Sequence, residues 1–436
     1  MTKIRTFVLV MGDIFLAFLA LFFTLAVRYL NNFHYPVFYQ HLLPFGFIYF
    51  VWLLFFYVFG LYDLEIIRPK GELTQRIIQC FVVCLIIGLI FFYLVPAFGI
   101  APKRNLLLDI FIFGLLIFAW RRLFYSLFST FYQANIAFLG KTKLATSLAE
   151  QIKKQPQLGY QVVGFLNQKI NLQQQLKKWK INYLIISDDF SQNQLLAQKL
   201  YACLPLKISF LSLDRAYEQI LGKIPVDFVN QAWFLKNLSE HHKSAYEKIK
   251  RIIDILISSL LLFLTSPLWL FIALAIKLDD KGPVFYRQER VSKDNKIFRI
   301  LKFRSMVVNA EKMGAMWAKK NDPRLTRVGK FLKKFHLDEF PQMVNVLKGD
   351  ISLVGPRPER PEFVRQLEKE IPHYHLRHIV KPGFTGWAQV KFVQYARSLQ
   401  DSHEKFQYDL YYIKNRSFLL DLAILLKTFF LFFKTE

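Results

Sequence analysis

Cysteine is almost absent from this chain: three residues in 436, at positions 80, 84 and 203. They supply no disulfide framework and no metal-thiolate spacing, and Cys80 and Cys84 lie in an apolar run where packing is the default. Acidic side chains are also scarce. Asp and Glu number 32 against 58 Lys and Arg, a net charge of +26. The excess cations are spread along the chain and flank apolar runs, with no nucleic-acid recognition module among them. That distribution suits an anionic leaflet and phosphorylated substrates, and argues against a DNA- or RNA-reading surface. A cleavable signal peptide is not expected, because the first apolar stretch is too long and lacks a small-residue cleavage site.

What is abundant is apolar surface. Phe alone contributes 46 residues, and charged residues are only 21%. Four runs approach the roughly twenty residues that a bilayer core requires: Phe7–Val27, Leu43–Leu61, Ile77–Val95 and Leu106–Trp120. Short links predict a compact antiparallel four-helix bundle. Lys3, Arg5, Arg68, Lys70, Arg76, Arg121 and Arg122 fall on one side, and Arg28, Lys103 and Arg104 on the other. The richer side is expected to be cytoplasmic, in a bacterial inner membrane. Asp13, inside the first run, is either functional or reaches headgroups from near an interface.

A fifth apolar run, Ile252–Leu278, has Ser266-Pro267 at its middle and Lys or Arg crowding both flanks. Proline bends a helix, and basic residues at both ends return both ends to the cytoplasm. The run is expected to be a re-entrant helical hairpin, with a Pro-kinked span as the alternative.

Between the bundle and that run, strand-like segments NIAFLG (135–140), YQVVGFL (160–166), INYLIIS (181–187) and LKISFLSL (206–213) alternate with helix-like ones. The pattern predicts a Rossmann-like α/β module over residues 131–243. Its first strand-to-helix turn, GKTKLATS, keeps Gly140 but has Thr142 and Ala145 at the next fingerprint positions. Without the second glycine, close approach to a pyrophosphate is not expected, and the module is read as binding partners or positioning the rest.

The chemistry is concentrated after residue 280. The string HLDEFPQMVNVLKGDISLVGPRPERP (336–361) sets adjacent carboxylates, Asp338 and Glu339, about twenty residues before a Gly/Pro turn bearing Arg357 and Arg360. Carboxylates can hold a divalent metal or attack phosphorus, while guanidinium forks bind phosphate oxygens. An isolated acidic pair would more often be a helix cap. Here KGPVFYRQERV and FRILKFRSM bring Arg287, Arg290, Arg299, Lys302 and Arg304, and NDPRLTRVGKF brings Asp322, Arg324, Arg327 and Lys330. Downstream, VKPGFTGWAQV (380–390) shapes a loop with Lys381, Gly383 and Trp387. Trp387 either stacks on a base or sugar or fills the core. An apolar C-terminal helix, expected to be interfacial, closes the chain.

Those motifs, in that order and spacing, resemble the polyprenyl-phosphate hexose-1-phosphate transferases, large monotopic phosphoglycosyltransferases that start bacterial exopolysaccharide, capsule and O-antigen assembly. The resemblance covers the whole chain and is strongest from Tyr246 onward. Departures are small: Phe340 stands where Leu is commoner, and VSKDNK replaces a more glycine-rich turn.

The resemblance implies a catalytic domain over 244–436, a UDP-sugar donor, undecaprenyl phosphate as acceptor, Mg²⁺, inner-membrane lipids as surroundings and a homodimer. It implies that Asp338 is the nucleophile and that Glu339, with Asp338, helps bind the metal. Arg357 would grip phosphate oxygens, with Arg324, Arg327, Arg304 and Lys302 as further candidates. Two other readings stay open: a transferase that binds both substrates at once, and a non-catalytic membrane scaffold.

Overall fold

The computed structural model describes residues 2–30, 33–62, 70–94, 103–127, 134–154, 159–167, 170–187, 194–238, 244–308, 310, 322–392 and 398–433. Contacts divide the chain into two compact units, Met1–Ala216 and Tyr217–Glu436.

The first unit opens with four helices: α1 (Thr2–Tyr29), α2 (Tyr35–Val58), α3 (Lys70–Leu94) and α4 (Lys103–Ser126). By length and composition α1, α2 and α3 can cross a bilayer. Helix α4, more charged at its ends, packs between α1 and α3 and closes the bundle. Stacked rings of Trp52, Phe56 and Phe113 fill its centre. Arg68, one of the residues used to orient the spans, lies outside the described residues.

Asp13 does not reach out to headgroups. It is fully buried and meets Arg121 of α4 through two bonds of 2.7 Å, with Tyr62 under the guanidinium. A bidentate pair satisfies both charges where no water can, so α1 and α4 have one register. Asp109 of α4 accepts from Tyr49 at 2.7 Å and Thr24 at 3.4 Å.

The α/β part of this unit comprises β1 (Ala134–Leu139), α5 (Lys143–Lys153), β2 (Tyr160–Leu166), α6 (Leu172–Lys178), β3 (Tyr183–Ile186), α7 (Gln194–Tyr201) and β4 (Ser209–Ser212), followed by α8 (Leu213–Leu221). The strands form a parallel sheet in the order β2-β1-β3-β4. Thr142 caps α5 by accepting from the Ala145 amide at 3.1 Å. The residues standing at the incomplete fingerprint are thus used to start the helix. Arg5 of α1 is buried and donates to the Gly159 carbonyl at the mouth of β2.

The second unit holds α9 (Gln231–Asn237), α10 (Ser244–Asp280), a hairpin of β5 (Phe285–Val291) and β6 (Ile297–Phe303), α11 (Arg327–Lys334), α12 (Gln342–Lys348), β7 (Ser352–Val354), α13 (Pro361–Glu370), β8 (Gly383–Thr385), α14 (Trp387–Lys391), α15 (Leu399–Asn415) and α16 (Phe418–Phe433). Ile224, Val226 and Val229, which the sequence reading assigned to the middle module, pack here against Val364, Leu367, Tyr374 and Phe406.

The apolar run around Pro267 is one continuous helix, α10, rather than two helices joined by a turn. Proline 267 has no amide to donate to the Phe263 carbonyl, and the Ser266 hydroxyl donates to that same oxygen at 2.8 Å. The orphaned acceptor is therefore satisfied without breaking the helix. Around it the surface is apolar and bare, with Phe263 77% and Leu270 74% exposed. Both roots of α10 are tied to one folded body. Near the start, Arg251 donates to the Val346 and Leu347 carbonyls and Asp254 accepts from the Leu353 amide. At the end, Asp279 accepts from the Val328 amide and Asp280 from the Val308 amide.

Asp13→Ala is expected to destabilise the bundle by about 3 to 5 kcal/mol by stranding Arg121. The double variant Asp13→Ala with Arg121→Leu should recover a large part of that loss. Chemical denaturation in detergent checks both.

Candidate active site

The site is built on one face of the β5–β6 hairpin. Antiparallel pairing sets Tyr286 opposite Lys302 and Arg290 opposite Phe298, so Tyr286, Gln288, Arg290 and Lys302 share a face. The connecting turn is VSKDNK, the segment that replaces a glycine-rich one. Asp294 and Asn295 take φ of 55° and 58°, the left-handed region these two side chains tolerate better than most.

The acidic pair is delivered by a second chain reversal. Helix α11 ends at Lys334, His336 takes φ 52°, and Leu337–Glu339 form a single 3-10 turn leading into α12. Asp338 is buried, and its Oδ1 has no hydrogen-bond partner among the described residues. Gln342, one turn further on, is buried too, and its Nε2 is likewise unpartnered. Two bare polar atoms one helical turn apart mark a place where a polar ligand would be satisfied.

Glu339 is in the opposite condition. Lys302 Nζ lies 2.8 Å from its Oε1, and Arg357 reaches Oε1 at 2.6 Å and Oε2 at 3.4 Å. Burial works to raise the Glu339 carboxyl, but the Arg357 and Lys302 charges overcome it and hold the group well below the usual carboxylate range. Asp338 moves the other way: burial raises it, and the Glu339 charge beside it adds to the rise. Burial also lowers Lys302, against the pull of Glu339. Two adjacent carboxyls are thereby given different behaviour, one a fixed anion and one an ionisable group with a bare oxygen.

Arg357 is itself held through its backbone. Arg377 Nη2 donates to the Arg357 carbonyl at 3.0 Å while pairing with Asp409 at 2.8 Å. Arg290 Nη1 donates to the Pro358 carbonyl at 3.0 Å, and the Val291 amide to Glu359. On the other flank the Gly355 amide donates to Thr385 and the Gly383 amide to Pro356. Gly383 serves through its missing side chain, since a Cβ there would strike the Gly355 backbone.

Of the residues singled out from sequence, Asp338, Glu339, Lys302 and Arg357 converge. Arg324 is instead bound bidentately to buried Asp322, at 2.8 and 2.6 Å. Arg327 is exposed at the start of α11, near Asp279. The Arg304 guanidinium lies beside Gly282, next to the C-terminal root of α10. Lys381 lines a separate cavity. Trp387 donates its indole N–H to the Gly222 carbonyl at 2.8 Å and stacks on Tyr411 at 5.6 Å, a core role. Ser266 and Pro267 lie within α10.

Sequence reasoning missed Gln342, Arg377 and Asp409. Gln342 lies inside the PQMVN string without any charge to mark it, and Arg377 and Asp409 are 32 residues apart with no shared motif.

No group of three or more His, Cys, Asp or Glu suited to a metal occurs among the described residues. Mg²⁺ commonly uses only one or two protein carboxylates, completed by substrate phosphates and water. The bare Asp338 oxygen beside Glu339 fits that donor set.

A sequence family described as bacterial sugar transferase matches residues 245–435. A UDP-glucose:undecaprenyl-phosphate glucose-1-phosphate transferase of Klebsiella pneumoniae is 34% identical over 367 residues, 78% of this chain and 74% of that protein. Its Escherichia coli K12 counterpart is 33% identical over 68% of this chain and 67% of its own length. A UDP-N-acetylgalactosamine-undecaprenyl-phosphate N-acetylgalactosaminephosphotransferase of Aeromonas hydrophila is 45% identical over 226 residues, and the chain spans about half of its length. The chain belongs to the bacterial sugar transferase family of polyprenyl-phosphate hexose-1-phosphate transferases.

Glu339→Gln is expected to cost about 3 kcal/mol, because two cations lose their anion; Arg357, about a third exposed, keeps the figure at the low end. Asp338→Asn should leave the melting temperature equal or higher. A carboxyl whose folded pKa is raised stabilises the fold only at low pH and opposes it once ionised, so an amide relieves that cost. Thermal unfolding at neutral pH checks both.

Proposed function

We propose that the chain transfers a sugar 1-phosphate from a UDP-sugar to undecaprenyl phosphate at the cytoplasmic face of the inner membrane, so starting a cell-surface glycan. The relatives named above carry glucose or N-acetylgalactosamine in their names. The donor sugar is therefore left as a hexose class. The observation that carries the reading is the bare, buried Oδ1 of Asp338 beside a Glu339 whose charge is clamped.

In the proposed first step an Asp338 oxygen attacks the sugar-proximal phosphorus. A P–O bond forms to the carboxylate, the pyrophosphate P–O bond breaks, and UMP leaves with the electron pair. In the second, a phosphate oxygen of undecaprenyl phosphate attacks the same phosphorus, yields the lipid-linked pyrophosphoryl sugar and restores the Asp338 carboxylate. Lys302 and Arg357 hold Glu339 ionised and remain within reach of donor phosphate oxygens. Gln342 offers an amide donor one turn from the nucleophile. Mg²⁺, held by Asp338 and Glu339 when bound, would supply charge neutralisation on the phosphates.

The membrane part of the proposal rests on α10. On this reading α10, bent at Pro267, enters one leaflet with its apolar middle and keeps both roots, which are tied to one folded body, on the same side of the bilayer. Such a course would hold the carboxylates at headgroup height, where a soluble donor meets a lipid acceptor.

Full-length protein in membrane vesicles, given a panel of UDP-sugars without acceptor, should form an acid-stable, hydroxylamine-labile phosphosugar adduct and one equivalent of UMP. EDTA should suppress UMP release. Asp338→Asn should lose adduct and turnover by at least about a thousandfold. Because the Asp338 pKa is raised and the carboxylate is the reactive form, turnover should fall on acidification at a pH above that of an ordinary aspartate. Normal turnover by Asp338→Asn, or no adduct while product forms, would replace the covalent route by direct transfer in a ternary complex.

A further inference from the structure

Outside the carboxylate site, the second unit contains a cavity of about 230 Å³ at the N-terminal root of α10. Five cations line it: Lys250, Arg251, Lys293, Lys381 and Arg416. Two are neutralised, Lys250 by Asp421 at 2.5 Å and Arg416 by Glu247 at 3.1 Å. Arg251 is held by neutral acceptors, the Val346 and Leu347 carbonyls, each at 2.6 Å. The Lys381 and Lys293 ammonium groups have no hydrogen bond or ion pair among the described residues. Against these three uncompensated charges stands Asp254, already accepting from the Leu353 amide at 3.1 Å. Burial, and then the Arg251 charge, lowers the Lys381 ammonium, as expected where positive charge lacks an anion.

The cavity is distinct from the carboxylate site. Arg251 grips the C-terminal end of α12, whereas Asp338 and Glu339 precede its first residue, and seven helical residues separate the two by about 10 Å. The segments that line it also carry the exposed apolar residues. Ile249 and Ile252 flank Lys250 and Arg251 on α10, and Phe418 and Leu419 follow Arg416. The positive cavity and the apolar faces of α10 and α16 therefore begin at the same level.

We propose that this cavity is a second phosphate site, taking the phosphate ester of an anionic membrane lipid through Lys381, Arg251 and Lys293. It seats the catalytic unit on the leaflet where α10 enters. The lipid source rests on the interfacial reading of α10 given above; the phosphate site itself does not.

Purified full-length protein in neutral detergent is titrated with phosphatidylglycerol, phosphatidylcholine or inorganic phosphate, with bound ligand read by native mass spectrometry and the midpoint of thermal unfolding alongside. Wild type should retain phosphatidylglycerol about tenfold better than phosphatidylcholine, whose own cation opposes the cavity charge. Lys381→Gln with Lys293→Gln should erase that preference, and Lys381→Arg should keep it. Asp338→Asn, inactive by the reading above, should retain the lipid as wild type does, so that lipid binding and turnover fail separately. Binding of inorganic phosphate, lost in the double Gln variant and unmatched by the lipid, would support the phosphate site and remove the lipid as its source. Equal retention of both lipids with no phosphate binding, or a preference untouched by the double variant, overturns the proposal.

Discussion

Glu339 lies between Lys302 and Arg357, and most of the second unit is arranged to keep it there. A buried carboxylate needs cations held in good geometry, because only then does their attraction offset the cost of desolvation. Lys302 is positioned by a hairpin whose turn is formed by two left-handed residues. Arg357 is positioned by its own backbone, gripped from Arg377, Arg290 and the Gly355–Gly383 contact. Burial, and then the charge on Glu339, raises the neighbouring Asp338 carboxyl.

This arrangement opposes stability at one residue while securing it at the next. Asp338 is desolvated, sits beside like charge and has an oxygen with no donor. Each of those conditions is unfavourable in a purely structural carboxyl, and a cap or a surface acid would have avoided them. A reacting phosphorus, with its own cation-balanced oxygens, would occupy the space the bare oxygen faces. Unfavourable burial concentrated at one carboxyl, beside a Glu339 whose charge is paired, accords with the nucleophilic role proposed for Asp338.

Much of this was legible in the sequence where chemistry and local periodicity coincide. Span-length apolar runs, the alternating segments of the middle module and the LDE…GPRPER spacing are local patterns, and helices, strands and the Glu339–Arg357 pair stand at them, although α2 starts at Tyr35, eight residues ahead of its run at Leu43. Pairings between distant residues were not legible. Nothing in HLRHIV and QYDLYY marks Arg377 and Asp409 as partners, and nothing near Asp13 points to Arg121, 108 residues away. Arg324 shows the reverse failure. Its sequence neighbourhood suggests phosphate binding, yet Asp322, two residues earlier, satisfies it. Trp387 reads equally as a stacking platform or a core wedge until the Gly222 carbonyl appears against its indole N–H.

The proline in α10 is the last instance of the same difficulty. Ser-Pro in an apolar run suggests an interruption, because proline removes a donor and hydrocarbon offers no replacement. Here the serine itself supplies the missing donor to the Phe263 carbonyl, so the helix continues through the site where it was expected to break. The re-entrant course proposed for α10 then does not rest on the proline alone. It rests on the pair of polar roots, Arg251 and Asp254 at one end and Asp279 and Asp280 at the other, each hydrogen-bonded to the same folded unit. Under the proposed re-entrant course, a segment tethered in that way keeps both ends on the face that carries the carboxylates.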